Sequence, residues 1–513
     1  MTREPTVAEG TGALHVFRAL ANQAPLAPFL RVDNTELTRE AFLDEVSAWA
    51  GALARQGIGA NDQVALILPN GVEWCIAFWA IVSLGALPVP LDPQIGEWEL
   101  HGVLPILKIR LCLSITRFRS AEVASNLLSW ASRCAEPMCL VVLDGGALPG
   151  ALTRDEFLAG APALPVPSRS VSNGEWLMLA CTSGTTGNPK IIAVPHLGFL
   201  RAQLDMANAL DLSENDRVLL GMPLYHQGGF GMGLQALVAG GQAIYSSSFD
   251  PERFLRCLED AHVTVAQLSA TLAKILLTHP TFDGFDLSSL RLYYFAGEVL
   301  PDALAAEFWR VRKTRVINVI GSTETATMVM WDSERDSARS ASEFRALPFT
   351  ATRIECSGNE PGNLWIHTDA LLALYYANEP ETRRRLVDHD GRRWFDTGDL
   401  AFPLQDGYIR FVGRAKRVIK RGPNLVHPEE LEAFFLTHPN IAGVAVVPQD
   451  HELFGESILA WVQPRKGTSL SRSDLLTFCR GKIAAYKVPD SFAITDELPI
   501  DIGKIQYKRI ATS

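Results

Sequence analysis

The chain of 513 residues exceeds what one hydrophobic core usually supports, so two or more domains are expected. Hydrophobic residues make up 47% and charged residues 20%, the balance of a globular cytosolic protein. The 47 Lys and Arg against 57 Asp and Glu give a net charge of -10 without any basic block or stripe, which excludes nucleic acid as the main partner. The 8 cysteines are scattered with no C-x-x-C pair, so neither a disulfide framework nor a zinc site is expected, and a reducing cytoplasmic location fits. Met1-Thr2-Arg3-Glu4-Pro5 lacks an apolar signal core. The uncharged stretch from Trp74 to Leu91 is broken by Gly85, Pro88 and Pro90; it reads as a buried helix running into a core strand, not as a membrane span.

In chain order, Thr38 caps a helix in which Phe42, Val46, Trp49, Ala50 and Leu53 share one face. Val64-Ala65-Leu66-Ile67-Leu68 reads as a buried strand, a helix starts near Val72, and Leu87-Pro88-Val89-Pro90 is a short strand. This strand–helix–strand alternation implies a parallel α/β sheet with right-handed crossovers. Between Arg119 and Ser172 the pattern is weaker, with Cys139-Leu140-Val141-Val142-Leu143 as a strand candidate.

The apolar run Trp176-Leu177-Met178-Leu179-Ala180-Cys181 then leads into Thr182-Ser183-Gly184-Thr185-Thr186-Gly187-Asn188-Pro189-Lys190. Four hydroxyls, two glycines and a lysine in nine residues make a loop suited to phosphate oxygens. It is not a Walker A loop, because Pro189 stands where that loop needs glycine before the lysine. Further strands end in polar loops: Val218 to Pro223 before Tyr225-His226, Leu292 to Phe295 before Ala296-Gly297-Glu298, and Val316 to Ile320 before Gly321-Ser322-Thr323-Glu324-Thr325. Loops at the carboxyl ends of such strands gather in one crevice, so these loops and 182–190 are expected to face one pocket. From Leu364 the texture changes to shorter β-like pieces. The charged cluster Gly413-Arg414-Ala415-Lys416-Arg417 reads as a link to a last segment with its own helices (Glu429 to Leu436, Ser473 to Cys479) and strand (Val444 to Val447). That segment has the makings of a small α+β domain.

These segments, in this order, resemble the class I adenylate-forming superfamily of acyl- and aryl-CoA ligases, stand-alone adenylation domains and luciferase-like enzymes. The landmarks are the 182–190 loop, Gly321-Ser322-Thr323-Glu324, Thr397-Gly398-Asp399, Gly413-Arg414, and Leu498-Pro499 with Gly503-Lys504-Ile505. The resemblance implies an α/β fold. A large N-terminal domain (1–413) carries doubly wound sheets and a small β-barrel-like subdomain, and a small mobile α+β domain (414–513) serves as a lid. It implies activation of a carboxylic acid by ATP and Mg2+ to an acyl-adenylate, with pyrophosphate release. Transfer to the thiol of CoA, or to the phosphopantetheine of a separate carrier protein, follows. Such chemistry needs charge stabilisation and alignment more than a base, since a carboxylate is already a nucleophile.

By the same resemblance Thr182, Ser183, Gly184, Thr185, Thr186, Gly187 and Lys190 hold phosphates, with Gly297, Glu298, Asn318, Gly321 and Ser322 completing the nucleotide site. Thr323 and Glu324 are catalytic, and Glu324 is the magnesium carboxylate, a hard ligand for a hard ion. Asp399 and Arg414 take the ribose, Lys504 is the mobile catalytic lysine, and Lys416 is the hinge. His226 lies beside the carboxylate, with Gly228, Gly229, Phe230, Gln267, Ser269 and Val319 as pocket lining; Tyr293, Tyr294 and Phe295 are further candidate walls, fitting an aromatic or compact acid. Several positions depart from the family pattern: Ile320 replaces an aromatic before Gly321, Ile191 a glycine after Lys190, and Pro423 a glycine. Proline fixes φ and removes an N–H, so the thiol step is the less secure half, and a non-catalytic nucleotide- or acyl-binding member is the competing reading.

Overall fold

The computed structural model describes residues 10–119, 121–132, 138–166, 170–182, 190–296, 300–312, 314–356, 360–414, 418–495, 498, 500–501 and 504–505, with Arg414 and Lys504 described by backbone only. The architecture is mixed α/β. A large N-terminal part carries the sheets expected of a doubly wound fold, and a smaller α+β part follows.

The first sheet has 5 strands in the order Leu87–Pro90, Gln63–Ile67, Ile109–Ser114, Cys139–Val142, Leu152–Thr153, and every pairing is parallel. The expected alternation explains it: Arg39–Arg55 and Val72–Ser83 are helices, and the Thr38 side chain accepts from Ala41 N at 3.2 Å as cap. Every residue from Trp74 to Ser83 is buried, which accounts for a helix apolar all round. No helix among the described residues is long and apolar enough to cross a membrane.

A 14-stranded sheet runs through the rest of the large part. Gln242–Tyr245, Arg217–Leu220, Val265–Leu268, Leu292–Ala296 and Arg315–Ser322 are neighbours in parallel. Arg315–Ser322 then pairs antiparallel with Ala326–Asp332, and antiparallel pairing continues through Glu343–Ala346, Tyr408–Arg414 and Arg392–Pro403. Residues 323–325 therefore turn at the point where the sheet changes from parallel to antiparallel. The β-rich region after Leu364 is this sheet's antiparallel half.

The described residues on either side of 183–189 are strands. Trp176–Thr182 and Lys190–Pro195 are antiparallel partners, and Leu374–Tyr375 adds a third strand. The β-branched run Ile191-Ile192-Ala193-Val194 favours strand over helix.

From Ile419 to Ile494 the strands belong to a separate 5-stranded sheet, packed by the helices Pro428–Leu436 and Arg472–Cys479 around Phe434, Phe435, Val444 and Leu475. The two parts meet at Gly96–Glu99. Glu97 N donates to Gly481 O and Trp98 N to Lys482 O, both at 3.1 Å. Trp98 packs on Phe434 with ring centroids 5.6 Å apart, and a Cβ on Gly96 would overlap the Lys482 carbonyl. The Lys487 ammonium donates to both Glu99 and Glu430, and Glu99 also accepts from Ala484 N at 3.0 Å.

Candidate active site

A cavity of about 310 Å³ opens at the parallel-to-antiparallel switch of the large sheet. Its walls include Thr182, Lys190, His226, Gly228, Val319, Ile320, Gly321, Ser322, Thr323, Glu324 and Asp399. The described parts of the expected strand-end loops thus do meet in one place. Lys420, Pro423, Leu425 and His427 reach the same cavity from the C-terminal part. Beside Pro423, Gly422 has φ +58° and lies against Thr271, which explains a glycine at that approach.

Lys190 is 7% exposed and its Nζ lies 2.6 Å from Glu381 Oε1, with the Tyr375 ring centroid 5.4 Å away. Glu381 also accepts from Arg384 Nη2 at 2.6 Å. Burial works to raise the Glu381 carboxyl, but the Arg384 and Lys190 hydrogen bonds outweigh it and hold it down at about 2. Its helix, Glu379–Arg385, begins at Asn378, whose side chain accepts from Glu381 N at 3.2 Å. Tyr375 Oη donates to Glu324 Oε1 at 2.9 Å. Burial and the Glu324 charge push this phenol up, so it stays a donor and fixes one carboxylate oxygen.

His226 is the N-cap residue of the Gln227–Val238 helix and packs on Tyr225 at 4.9 Å between centroids. Burial lowers its imidazole to about 4, so near neutral pH it is an uncharged hydrogen-bonding group. Gly228, Gly231, Met232 and Gln235 of the same helix line the cavity, joined by Phe199, Gln203, Met222, Tyr294 and Thr327. Asp399 sits in register with Arg414 on adjacent strands and takes its backbone direction from Thr397, whose Oγ1 accepts from Asp399 N at 3.0 Å.

Other expected residues take structural positions. Gln267 Nε2 donates to Gly228 O at 2.9 Å, Ser269 caps the Ala270–Leu277 helix, and Asn318 Nδ2 donates to Ala341 O at 3.0 Å. All three are fully buried and do not line the cavity. Gly229 is pressed against the Pro223 carbonyl. Phe230 packs in an aromatic cluster with Phe78 and Phe199. Tyr293 and Phe295 face the core around Phe308. Their alternation with Tyr294 is the period of a strand, which sends only one of the three rings into the pocket. Ser183, Gly184, Thr185, Thr186, Gly187, Gly297, Glu298 and Lys416 lie outside the described residues, and Lys504 is placed only by its backbone, opposite Asp501 in a two-strand ladder.

Sequence reasoning missed Tyr375, Glu381, Gln203 and Gln235. The spacing 228, 231, 232, 235 downstream of His226 is the signal that points to Gln235. Glu381 has no such signal, since Glu-Thr-Arg-Arg-Arg reads as a solvated helix face.

This fold and site define an adenylate-forming enzyme. The AMP-binding enzyme family matches residues 17–376 and its C-terminal domain family matches 430–502, so the chain belongs to the AMP-binding enzymes of the class I adenylate-forming superfamily. It is 30% identical over 491 residues to the putative acyl-CoA synthetase YngI of Bacillus subtilis, covering 90% of this chain and 89% of that protein. It is 28% identical to the indoleacetate–CoA ligase of Aromatoleum aromaticum, covering 93% of each. Among solved structures, a double mutant of o-succinylbenzoate CoA synthetase from Bacillus subtilis, bound with its product analogue OSB-NCoA, superposes with a TM-score of 0.85 at 21% identity, covering 99% of both chains.

Proposed function

We propose that this protein is an AMP-forming acid–CoA ligase. The observation that carries the reading is a single cavity in which Lys190, Glu324 and Asp399 meet a mostly apolar helix face that begins at His226. One end is built for a nucleotide and the other for an organic acid. In the first step a carboxylate oxygen attacks the α-phosphorus of ATP, and the bond to the β-phosphate oxygen breaks with release of pyrophosphate. In the second, the CoA sulfur attacks the acyl carbon, AMP leaves, and the thiol proton is lost.

Lys190 supplies a cation to the phosphates, and its bond to Glu381 holds it at the cavity wall. Glu324, with one oxygen fixed by Tyr375, keeps another for Mg2+, an ion that usually takes one or two carboxylates plus substrate phosphates. No cluster of three or more His, Cys, Asp or Glu that could hold a metal occurs among the described residues, and Mg2+ held in that way needs none. Asp399 offers two oxygens to the ribose hydroxyls. Lys504, on a C-terminal lid spanning 414–513 and hinged at Lys416, supplies the second cation of the adenylation step. Ile320 offers adenine an aliphatic surface in place of a ring, which forgoes about 0.5–1.5 kcal/mol of stacking.

Pyrophosphate exchange across aryl, alkyl and amino acids tests the reading. Exchange is expected with at least one aryl or alkyl acid, and its absence with all of them leaves a non-catalytic nucleotide- or acyl-binding protein. Discharge of the formed adenylate by CoA, against discharge by phosphopantetheinyl carrier proteins, decides the acceptor.

A further inference from the structure

The described elements that wall the acid end of the cavity all stop lining it at one layer. On the Gln227–Val238 helix the lining residues run Gly228, Gly231, Met232 and Gln235, and Val238, the next on that face, belongs to the core. On the His196–Ala209 helix Gln203 lines the cavity, whereas Met206 and Ala207 do not. The strands behave alike: Tyr294 lines it and Leu292 does not, Val319 does and Ile317 does not, Thr327 does and Val329 does not. Met206, Leu292, Ile317 and Val329 are each 0% exposed, so packed core lies behind Gln203, Gln235, Tyr294 and Thr327.

These four side chains are joined to one another. Gln203 Nε2 donates to Phe199 O at 3.4 Å, and Gln203 Oε1 accepts from Gln235 Nε2 at 2.8 Å. The Tyr294 hydroxyl is hydrogen-bonded to the Gln235 and Thr327 side chains. Gly231 leaves room for this bracing, since a Cβ there would lie 3.1 Å from Gln203 Oε1. Two helices and two strands are thus tied together across the end of the cavity. Pushing any member aside breaks hydrogen bonds and strands a buried polar group, which is costly. Met222 and Met232, by contrast, line the flanks with flexible thioether chains that adapt to what lies between them. Width adjusts in this pocket; length does not.

Seven residues at about 1.5 Å rise put Gln235 roughly 10 Å along the helix from Gly228, which is exposed at the other end of the stripe. Resting on the ligase reading above, in which the acid lies along the helix face that begins at His226, we infer that Gln203, Gln235, Tyr294 and Thr327 form a fixed floor. It restricts this protein to compact acids that reach roughly 10 Å from the carboxylate. With C–C bonds of about 1.5 Å in a zigzag, an extended chain of about eight carbons fills that depth, and a chain of twice the length does not fit.

The test is pyrophosphate exchange with matched acids, octanoate against hexadecanoate and 2-naphthoate against 6-hexyl-2-naphthoate. Wherever the short member supports exchange, the long one should be poorer by about tenfold or more in kcat/KM. Gln235→Ala and Gln203→Ala each take volume out of the floor. In whichever of them the thermal unfolding midpoint shows a folded protein, the long acid should gain about tenfold on its short partner. Wild-type use of a long acid as good as or better than its short partner overturns the inference and leaves the ligase reading standing; this arm needs no variant. A long-to-short ratio that stays unchanged in the folded variants overturns the role of these side chains. Absence of exchange with every acid overturns the ligase reading and this inference together.

Discussion

Lys190 and Lys487 are 7% and 5% exposed, and each is bonded to glutamate, yet their settings carry opposite charge. Around Lys190 stand Arg384 and Arg385, with Glu381 and Asp396 as counter-charges, three positive against two negative. Around Lys487 stand Glu99 and Glu430 in direct contact and Asp92 within electrostatic reach, one basic group against three acidic ones. The carboxyls respond accordingly. Glu381 is held at about 2, its burial outweighed by Arg384 and Lys190. Glu430 is raised by burial, with Lys487 pulling it back and Glu99 pushing it further up. The same kind of ion pair thus makes a cationic stretch of the cavity wall, at the proposed phosphate site, in one place and a proton-sensitive junction between the two parts of the chain in the other.

The largest expected effect comes from Lys487→Met. It leaves two buried glutamates without a cation and should cost about 3–5 kcal/mol of stability, read as a lower unfolding midpoint in urea. Adding Glu99→Gln and Glu430→Gln should restore much of it, because the uncompensated charge and not the lost packing is the cause. Lys190→Ala should behave in the opposite way. Glu381 keeps Arg384 and Arg385, so the midpoint should move little, while pyrophosphate exchange should fall about 10²-fold. A large stability loss in this variant would show that the cation at the pocket is structural.

A smaller contrast lies in pH. Asp92, near the junction, is raised from the ordinary carboxylate range to about 6 by burial and Glu99, with the Gln94 N–H, Lys487 and Tyr225 working against the rise. A carboxyl that binds its proton more tightly when folded stabilises the fold below its unfolded value, about 4, and loses that contribution as pH rises through about 6. Glu381 has the reverse sign: its contribution is present above about 4.3 and is lost as pH falls towards 2. Asp92→Asn should therefore flatten the unfolding midpoint between pH 4 and 6 and leave the acid limb unchanged. A flattened acid limb instead would mean that the two clusters titrate together.

Much of the fold was legible because its signals are local. The Thr38 cap, the apolar face of Arg39–Arg55 and the uninterrupted apolar strands each declare themselves within a few residues. The antiparallel half of the large sheet was not, since strands such as Ala326–Asp332 and Glu343–Ala346 are defined by partners far along the chain. At the site, Lys190, Glu324 and Asp399 could be found because their neighbours form short motifs. Their partners Glu381 and Tyr375 could not, for an ion pair across 191 positions leaves no spacing to read. The junction at Gly96–Glu99 was invisible for a related reason. Two of its hydrogen bonds are backbone to backbone and do not depend on which residues make them.

The amide chain from Phe199 through Gln203 to Gln235 fixes the direction of two side chains in the cavity wall. A primary amide is nearly symmetric in shape, so without such partners it can turn over and present nitrogen or oxygen. Gln203→Met would remove one of those partners without adding bulk. With the chain intact the wall is ordered before anything enters the cavity, so the entropy of fixing these side chains is lost on folding and not again on binding.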